Sequence, residues 1–190
     1  MKNPEIILAS ASPRRRELLN KAVKMFEIIP SAFDEKKIKD KDPVQFAVKA
    51  SICKAIEVGN RYPSAIVIGA DTIVVLKNRI FGKPKNSSDA KRALRSLSGK
   101  THQVITGVAI CSKDGDKLIS AYESTDVTFK VLSDKEIDDY VSEGSVHDKA
   151  GSYAIQDIGG RFIDKIKGDY DNVVGLPVAL VIKLLAEFLG

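Results

Sequence analysis

Apolar positions along the chain fall into two kinds of run. Short blocks rich in β-branched residues alternate with longer stretches where apolar residues recur every three or four positions, the signatures of strands and amphipathic helices. EIILAS (5–10) is a strand block that leads straight into a helix, with Ser12 as N-cap and Pro13 at the first helical position. Leu18, Leu19 and Ala22 make that helix's apolar face. FEIIPS (26–31) reads as a second strand and DEKKIKDKD (34–42) as a charged loop. Asp42 then caps a helix with Pro43 at its first position and Gln45 at its third, close to a capping box. Phe46, Ala47, Ala50, Cys53 and Ala55 carry its apolar positions to about Gly59.

SAIVIGADTIVVL (64–76) predicts a buried central strand, interrupted at Gly69–Asp71. IFGKP follows, then a helix over 87–97 that ends at Gly99, where a glycine C-cap belongs. Residues 103–112 and 117–131 predict two long strands joined by the KDGD turn. Ser133 and Glu136 form a capping box opening a helix to Gly144, and a Pro177-started apolar helix runs through Leu189. There is no repeat and no low-complexity linker, so residues 1–190 read as one domain. Strands and helices mixed with one evident hairpin predict an α/β fold with a mixed sheet.

Composition changes this picture little. With 190 residues the chain can bury one core, or one core with a lobe. Thirty Lys+Arg against 25 Asp+Glu leave a net +5, which favours anionic partners. Aromatics are only 6% and do not alternate with basic residues, which argues against a nucleic-acid stacking platform. The apolar run near the N-terminus is too short for a signal peptide, and no stretch approaches the roughly 18 apolar residues of a membrane span. Cys53 and Cys111 read as small buried hydrophobes with no metal-ligand spacing, which predicts a cytoplasmic, reduced protein with no membrane partner.

Candidate chemistry begins with Arg14, Arg15 and Arg16, three cations in a helix first turn that should repel them. Asp71 is the next oddity, a carboxylate inside an apolar stretch, placed either to cap a turn or to act as metal ligand or general base. A glycine shortly before it would permit unusual backbone and close approach of a ligand. SLSGKTHQ is no P-loop, because Leu94 stands where a glycine is required. GDYDNVVGLP (168–177) either wraps a ligand or forms a tight loop. His102 and His147 read as surface or strand hydrogen-bonders. Arg14, Arg15, Lys54, Lys83 and Lys100 near turns, with Glu35 and Asp71, suggest a phosphorylated ligand held with a divalent cation.

LASASPRRRELL, GADTIVV, FGKP, SGKTHQVITG, KAGSYAIQ and GDYDNVVGLP occur in the order and approximate spacing of the Maf proteins. The resemblance runs from about residue 5 to 180. It implies a mixed α/β fold related to the inosine triphosphatase family, with an elongated sheet flanked by helices and two lobes around a cleft. It also implies hydrolysis of a nucleoside triphosphate between the α- and β-phosphates, with Mg²⁺ or Mn²⁺. The expected role is cleansing of the nucleotide pool or control of division, and a homodimer is the family expectation. By motif position Asp71 matches the catalytic aspartate, Ser10, Arg14 and Arg15 the phosphate-binding segment, and Lys54 and Lys83 basic residues facing phosphates. Glu35 matches an acidic residue that helps Asp71 with metal, with Asp34 as the neighbour it could be confused with. Arg16 is a solvated bystander.

Arg14, Thr72 and Gln156 together resemble the dTTP/UTP type of the family. A glutamine offers a donor and an acceptor that suit the pyrimidine O4/N3 edge. One departure stands out: Val146 and His147 occupy the segment where the family carries a tryptophan before KAG. The alternatives to a dTTP/UTP enzyme are a non-catalytic nucleotide-binding regulator of septum formation, or the same reaction on modified pyrimidine triphosphates.

Overall fold

The computed structural model describes residues 5–114, 116–144, 149–156 and 158–190. Gly115 of the KDGD turn, and Val146 and His147, lie outside them. Strands β1 (Ile6–Leu8), β2 (Glu27–Ile28), β3 (Ile66–Leu76), β4 (Arg79–Phe81), β5 (Thr101–Ser112), β6 (Lys117–Phe129) and β7 (Ile163–Lys167) form one sheet. Its order is β2-β1-β3-β5-β6-β7, with β4 paired to β3. β1 runs parallel to β2 and β3, whereas β4 on β3 and β7 on β6 are antiparallel. The sheet is mixed, as the sequence pattern predicts. The helices are α1 (Pro13–Leu19), α2 (Pro43–Gly59), α3 (Ser87–Leu97), α4 (Asp134–Ser142), α5 (Tyr170–Val174) and α6 (Val178–Leu189). Among the described residues no helix is long and apolar enough to cross a membrane.

The chain divides into two compact units. Unit 1 takes Met1–Thr72, Thr106–Glu123 and Gly175–Gly190; unit 2 takes Ile73–Ile105 and Ser124–Val174.

In unit 1, the Ser12 and Asp42 side chains accept from the Arg15 and Gln45 amides and fix the starts of α1 and α2, with Pro13 and Pro43 just inside. Ile7, Ala9, Ala55, Val58, Val67, Ala109 and Cys111 form a core between the sheet and α2. The α2 backbone lies almost on the strands. A Cβ at Gly69 would meet the Ser51 carbonyl oxygen at 2.3 Å, and one at Gly107 would meet that of Ala47 at the same distance. β3 is therefore unbroken from Ile66 to Leu76, not interrupted at Gly69–Asp71. Gly69 is needed for its missing Cβ rather than for a turn, and what approaches it is a helix. The second strand shrinks to two exposed residues, Glu27 and Ile28, at the sheet edge. The charged loop contains a 3-10 turn, Glu35–Lys37. Pro177 is the residue before α6 rather than its first. Cys53 is only half-buried, and both cysteines are free.

In unit 2, Leu94 and Leu97 of α3 and Ile137, Tyr140 and Val141 of α4 bury against Val104, Val127 and Phe129. The capping box at the start of α4 forms as expected: Ser133 Oγ accepts from the Glu136 amide, while Glu136 accepts from the Ser133 amide at 2.8 Å. His102 is no surface residue but is buried on β5, where Nε2 meets the Tyr153 hydroxyl at 2.7 Å. Phe129 and Tyr153 pack edge-on against its ring. Burial holds its pKa down at about 4, so it is neutral. The GDYDNVVGLP segment is no simple loop, since α5 lies inside it. Thr125 pins that segment by accepting from the Asp169 amide and from Asn172 Nδ2, which also bonds Val104 O.

Candidate active site

Side chains on a strand alternate between faces, so Gly69 and Asp71 share one face of β3 and Thr72 the other. The bare backbone at Gly69 lets α2 settle onto that face at Ser51 and Ala55. Lys54, on the same stretch of α2, then reaches Asp71, its Nζ donating to Oδ1 at 2.6 Å. The same ammonium donates to Glu35 Oε1. Asp34 and Glu35 are thereby distinguished. Asp34 spends its carboxylate capping the 3-10 turn, accepting from the Lys36 amide, while Glu35 points to Lys54.

Asp71 is 6% exposed. Burial pushes its pKa above the ordinary carboxylate value, reinforced by the Glu35 charge and opposed by Lys54 and Arg15. The sheet interior thus holds a carboxylate that water-excluding packing makes more basic, with an ammonium at hand to keep it in place. That is the environment of a proton acceptor.

The other face of β3 carries a second cluster. β1 pairs with β3 only as far as Leu8 opposite Ile68, and the Ala9 amide takes the Ile68 carbonyl. The next carbonyl on that edge, Ala70 O, accepts from Arg15 Nη1 at 2.9 Å. Arg15 Nη1 also donates to Ser10 Oγ, Nη2 to Thr72 Oγ1 at 3.0 Å, and Nε to Gly175 O at 2.8 Å. Burial lowers the guanidinium's pKa, against the pull of Asp71 and Glu35. Gly175 stands at φ +135, a conformation that favours glycine. Thr72 Oγ1 also meets Thr106 Oγ1 at 2.9 Å and donates to Gly175 O at 3.2 Å. A hydroxyl has one proton and two lone pairs, so these contacts use its full capacity. Ser10 Oγ accepts from the Ser12 amide as well as from Arg15, which leaves its proton to donate.

Unit 1 therefore brings Ser10, Arg15, Glu35, Lys54, Asp71 and Thr72 together, with Arg14 half-buried beside Arg15. Arg16 is exposed. Unit 2 carries Lys83, exposed just after β4, and Gln156, exposed in the turn that follows Tyr153. Sequence reasoning missed Thr106 and Gly175. Thr106 and Gly175 lie inside the SGKTHQVITG and GDYDNVVGLP motifs, but nothing in either motif marks them apart from their neighbours as partners of Thr72 and Arg15.

Asp71 and Glu35 converge on one cation, Lys54 Nζ. Among the described residues no group of three or more His, Cys, Asp or Glu gathers to hold a metal ion. Two carboxylates with the remaining oxygens supplied by a bound phosphate chain are a donor set that suits Mg²⁺ or Mn²⁺. The residues fit such an ion.

The fold and the carboxylate–ammonium–carboxylate site place the chain first in a class of mixed α/β proteins. A HAM1 protein from Coxiella burnetii shares the fold, with a TM-score of 0.51 and 15% identity across 97% of this chain and 100% of that one. The chain belongs to the Maf-like protein family, whose model matches residues 5–188. A dTTP/UTP pyrophosphatase from Pyrococcus furiosus is 49% identical over 183 residues, covering 95% of this chain and 94% of its own. One from Bacillus mycoides is 48% identical over 184 residues, covering 97% and 95%.

Proposed function

We propose that this chain, a nucleoside triphosphate pyrophosphatase, acts on dTTP and UTP, splitting them between the α- and β-phosphates to the monophosphate and pyrophosphate. The observation that carries the chemistry is Asp71, buried and held by Lys54. The water oxygen bonds to the α-phosphorus while its proton passes to the Asp71 carboxylate. The bond from that phosphorus to the α–β bridging oxygen breaks, and pyrophosphate leaves with the electron pair. Lys54 keeps Asp71 oriented, and the Ser10 hydroxyl and Arg14 donate to phosphate oxygens. A divalent cation, Mg²⁺ or Mn²⁺, held by Asp71 and Glu35 would supply charge neutralisation at the phosphates.

Motif position in the family supports a phosphate contact for Lys83 and base reading by Arg14 and Gln156. The same resemblance supports a cytoplasmic homodimer working on the nucleotide pool.

Pyrophosphate release from dTTP and UTP with Mg²⁺ or Mn²⁺ tests the reading. Asp71→Asn keeps the shape and removes the charge, and removal of a general base lowers the rate by ~10²–10⁴. An Asp71→Asn enzyme turning over at the wild-type rate would remove Asp71 from the chemistry.

A further inference from the structure

The structure assigns Arg15 to a positioning role: it extends the β1–β3 ladder with its side chain and so fixes the peptide that carries Asp71. This rests on Asp71 being the proton acceptor proposed above.

A guanidinium has five N–H donors in a rigid fork. Four of Arg15's contacts go to protein oxygens, those of Gly175, Ser10, Ala70 and Thr72. One N–H at most remains, too few for the two-pronged grip by which arginine holds a phosphate. Two of the four acceptors flank Asp71. Ala70 O belongs to the peptide whose nitrogen is Asp71's own, and Thr72 is the residue that follows. Asp71 is thus flanked by Arg15 contacts on both sides, one to the Ala70 carbonyl along the strand edge that β1's backbone leaves at Ile68 and one to the Thr72 hydroxyl.

The pairing with β1 fixes β3 through Ile68, and the Arg15 fork fixes it two residues on. Gly175 O, accepting from Arg15 and from Thr72, closes the clamp from the last segment of unit 1. Thr106 braces Thr72 from β5. A carboxylate that must meet a water within a few tenths of an ångström needs a backbone that does not shift, and misplacement costs rate rather than affinity. The three adjacent arginines then differ in kind: Arg14 reaches substrate, Arg15 holds protein, and Arg16 meets solvent.

The test separates a positioning residue from a phosphate ligand by which constant moves. Arg15→Lys keeps the charge and loses the fork. It should lower kcat for dTTP more than fivefold, while the Kd for α,β-methylene-dUTP, measured by calorimetry, stays within fivefold of wild type. Thr106→Val removes the brace at Thr72 and keeps the side-chain shape, so it gives the same pattern at smaller amplitude should Arg15→Lys not fold. A Kd weakened more than fivefold in either variant overturns the proposal, as does a kcat that stays within fivefold in Arg15→Lys. The Asp71 amide resonance gives a readout apart from turnover, and it should move in Arg15→Lys. An unmoved Asp71 amide also overturns the clamp. Wild-type protein that released no pyrophosphate would instead fail the functional reading and leave the amide measurement to judge the clamp.

Discussion

Gly69 and the carbonyl of Ser51 are packed so closely that a methyl group on Gly69 would sit 2.3 Å from that oxygen. The obstacle is helix backbone, which cannot rotate aside as a side chain can. Gly69→Ala must therefore push α2 off β3, and overpacking of this kind costs about 1–3 kcal/mol. Because Lys54 rides on α2, the Lys54–Asp71 contact should lengthen too. We expect a stability loss of about 2 kcal/mol by urea denaturation, and reduced turnover. Gly82→Ala, where an added Cβ meets nothing within 4 Å, is the control and should stay within about 0.5 kcal/mol of wild type.

Lys54 and Asp71 form a pair whose side chains are 12% and 8% exposed. Removing one partner of a buried pair costs about 3–5 kcal/mol, because the other charge is stranded. Lys54→Met should approach the lower figure. Lys54→Met with Asp71→Asn strands no charge at Asp71, so the double variant should be less destabilised than the sum of the singles by about 1 kcal/mol or more. Strict additivity in the double-mutant cycle would show that the pair is not coupled.

His102 gives stability a defined pH window. Its folded pKa is depressed to about 4 by burial, below the ordinary 6.5. Below pH 6.5 the unfolded chain binds a proton there and the folded chain does not, so stability falls with pH down to about 4 and is flat above the window. One proton over that interval amounts to about 3 kcal/mol. His102→Gln keeps a polar partner for Tyr153 and cannot titrate. The difference between wild type and His102→Gln, measured by denaturation from pH 7 to 4, should show this slope; parallel curves would refute it.

Ser133 caps α4 far along the chain from any residue of the proposed chemistry. Its hydroxyl and the Glu136 carboxylate satisfy two amides at the helix start. Ser133→Ala should cost about 1 kcal/mol of stability and leave pyrophosphate release unchanged. A change in turnover at saturating dTTP would contradict the assignment of this cap to stability alone.

Much of the fold was legible because its signals are local. Ser12–Pro13, Asp42–Pro43 and Ser133–Glu136 each place a hydroxyl or carboxylate where backbone amides lack partners, and each is the helix start that the chain forms. The β-branched run at 64–76 reads as a buried strand from its local composition, and β3 occupies Ile66–Leu76 of it. β4 and β7, three and five residues long, were missed, since such short strands exist through their neighbours. The break expected at Asp71 failed because its physical premise was incomplete. A charge inside a strand needs a partner, and Lys54 supplies it from a helix 17 positions earlier.

The sequence by itself determined the helix starts, the mixed α/β class, the family, and the residue types that a phosphate-splitting site requires. Tertiary structure decided what each of those residues touches. Hydrogen bonds between residues 17, 57 and 160 positions apart leave no periodic trace in a chain. They arise only when α2 is seated on Gly69 and the last segment returns to β3. Arg14 and Arg15 are the same letter twice in the sequence. In the fold, Arg14 lies half-buried beside the site, and Arg15 spends its fork on protein oxygens that include the Ala70 carbonyl and the Thr72 hydroxyl on either side of Asp71.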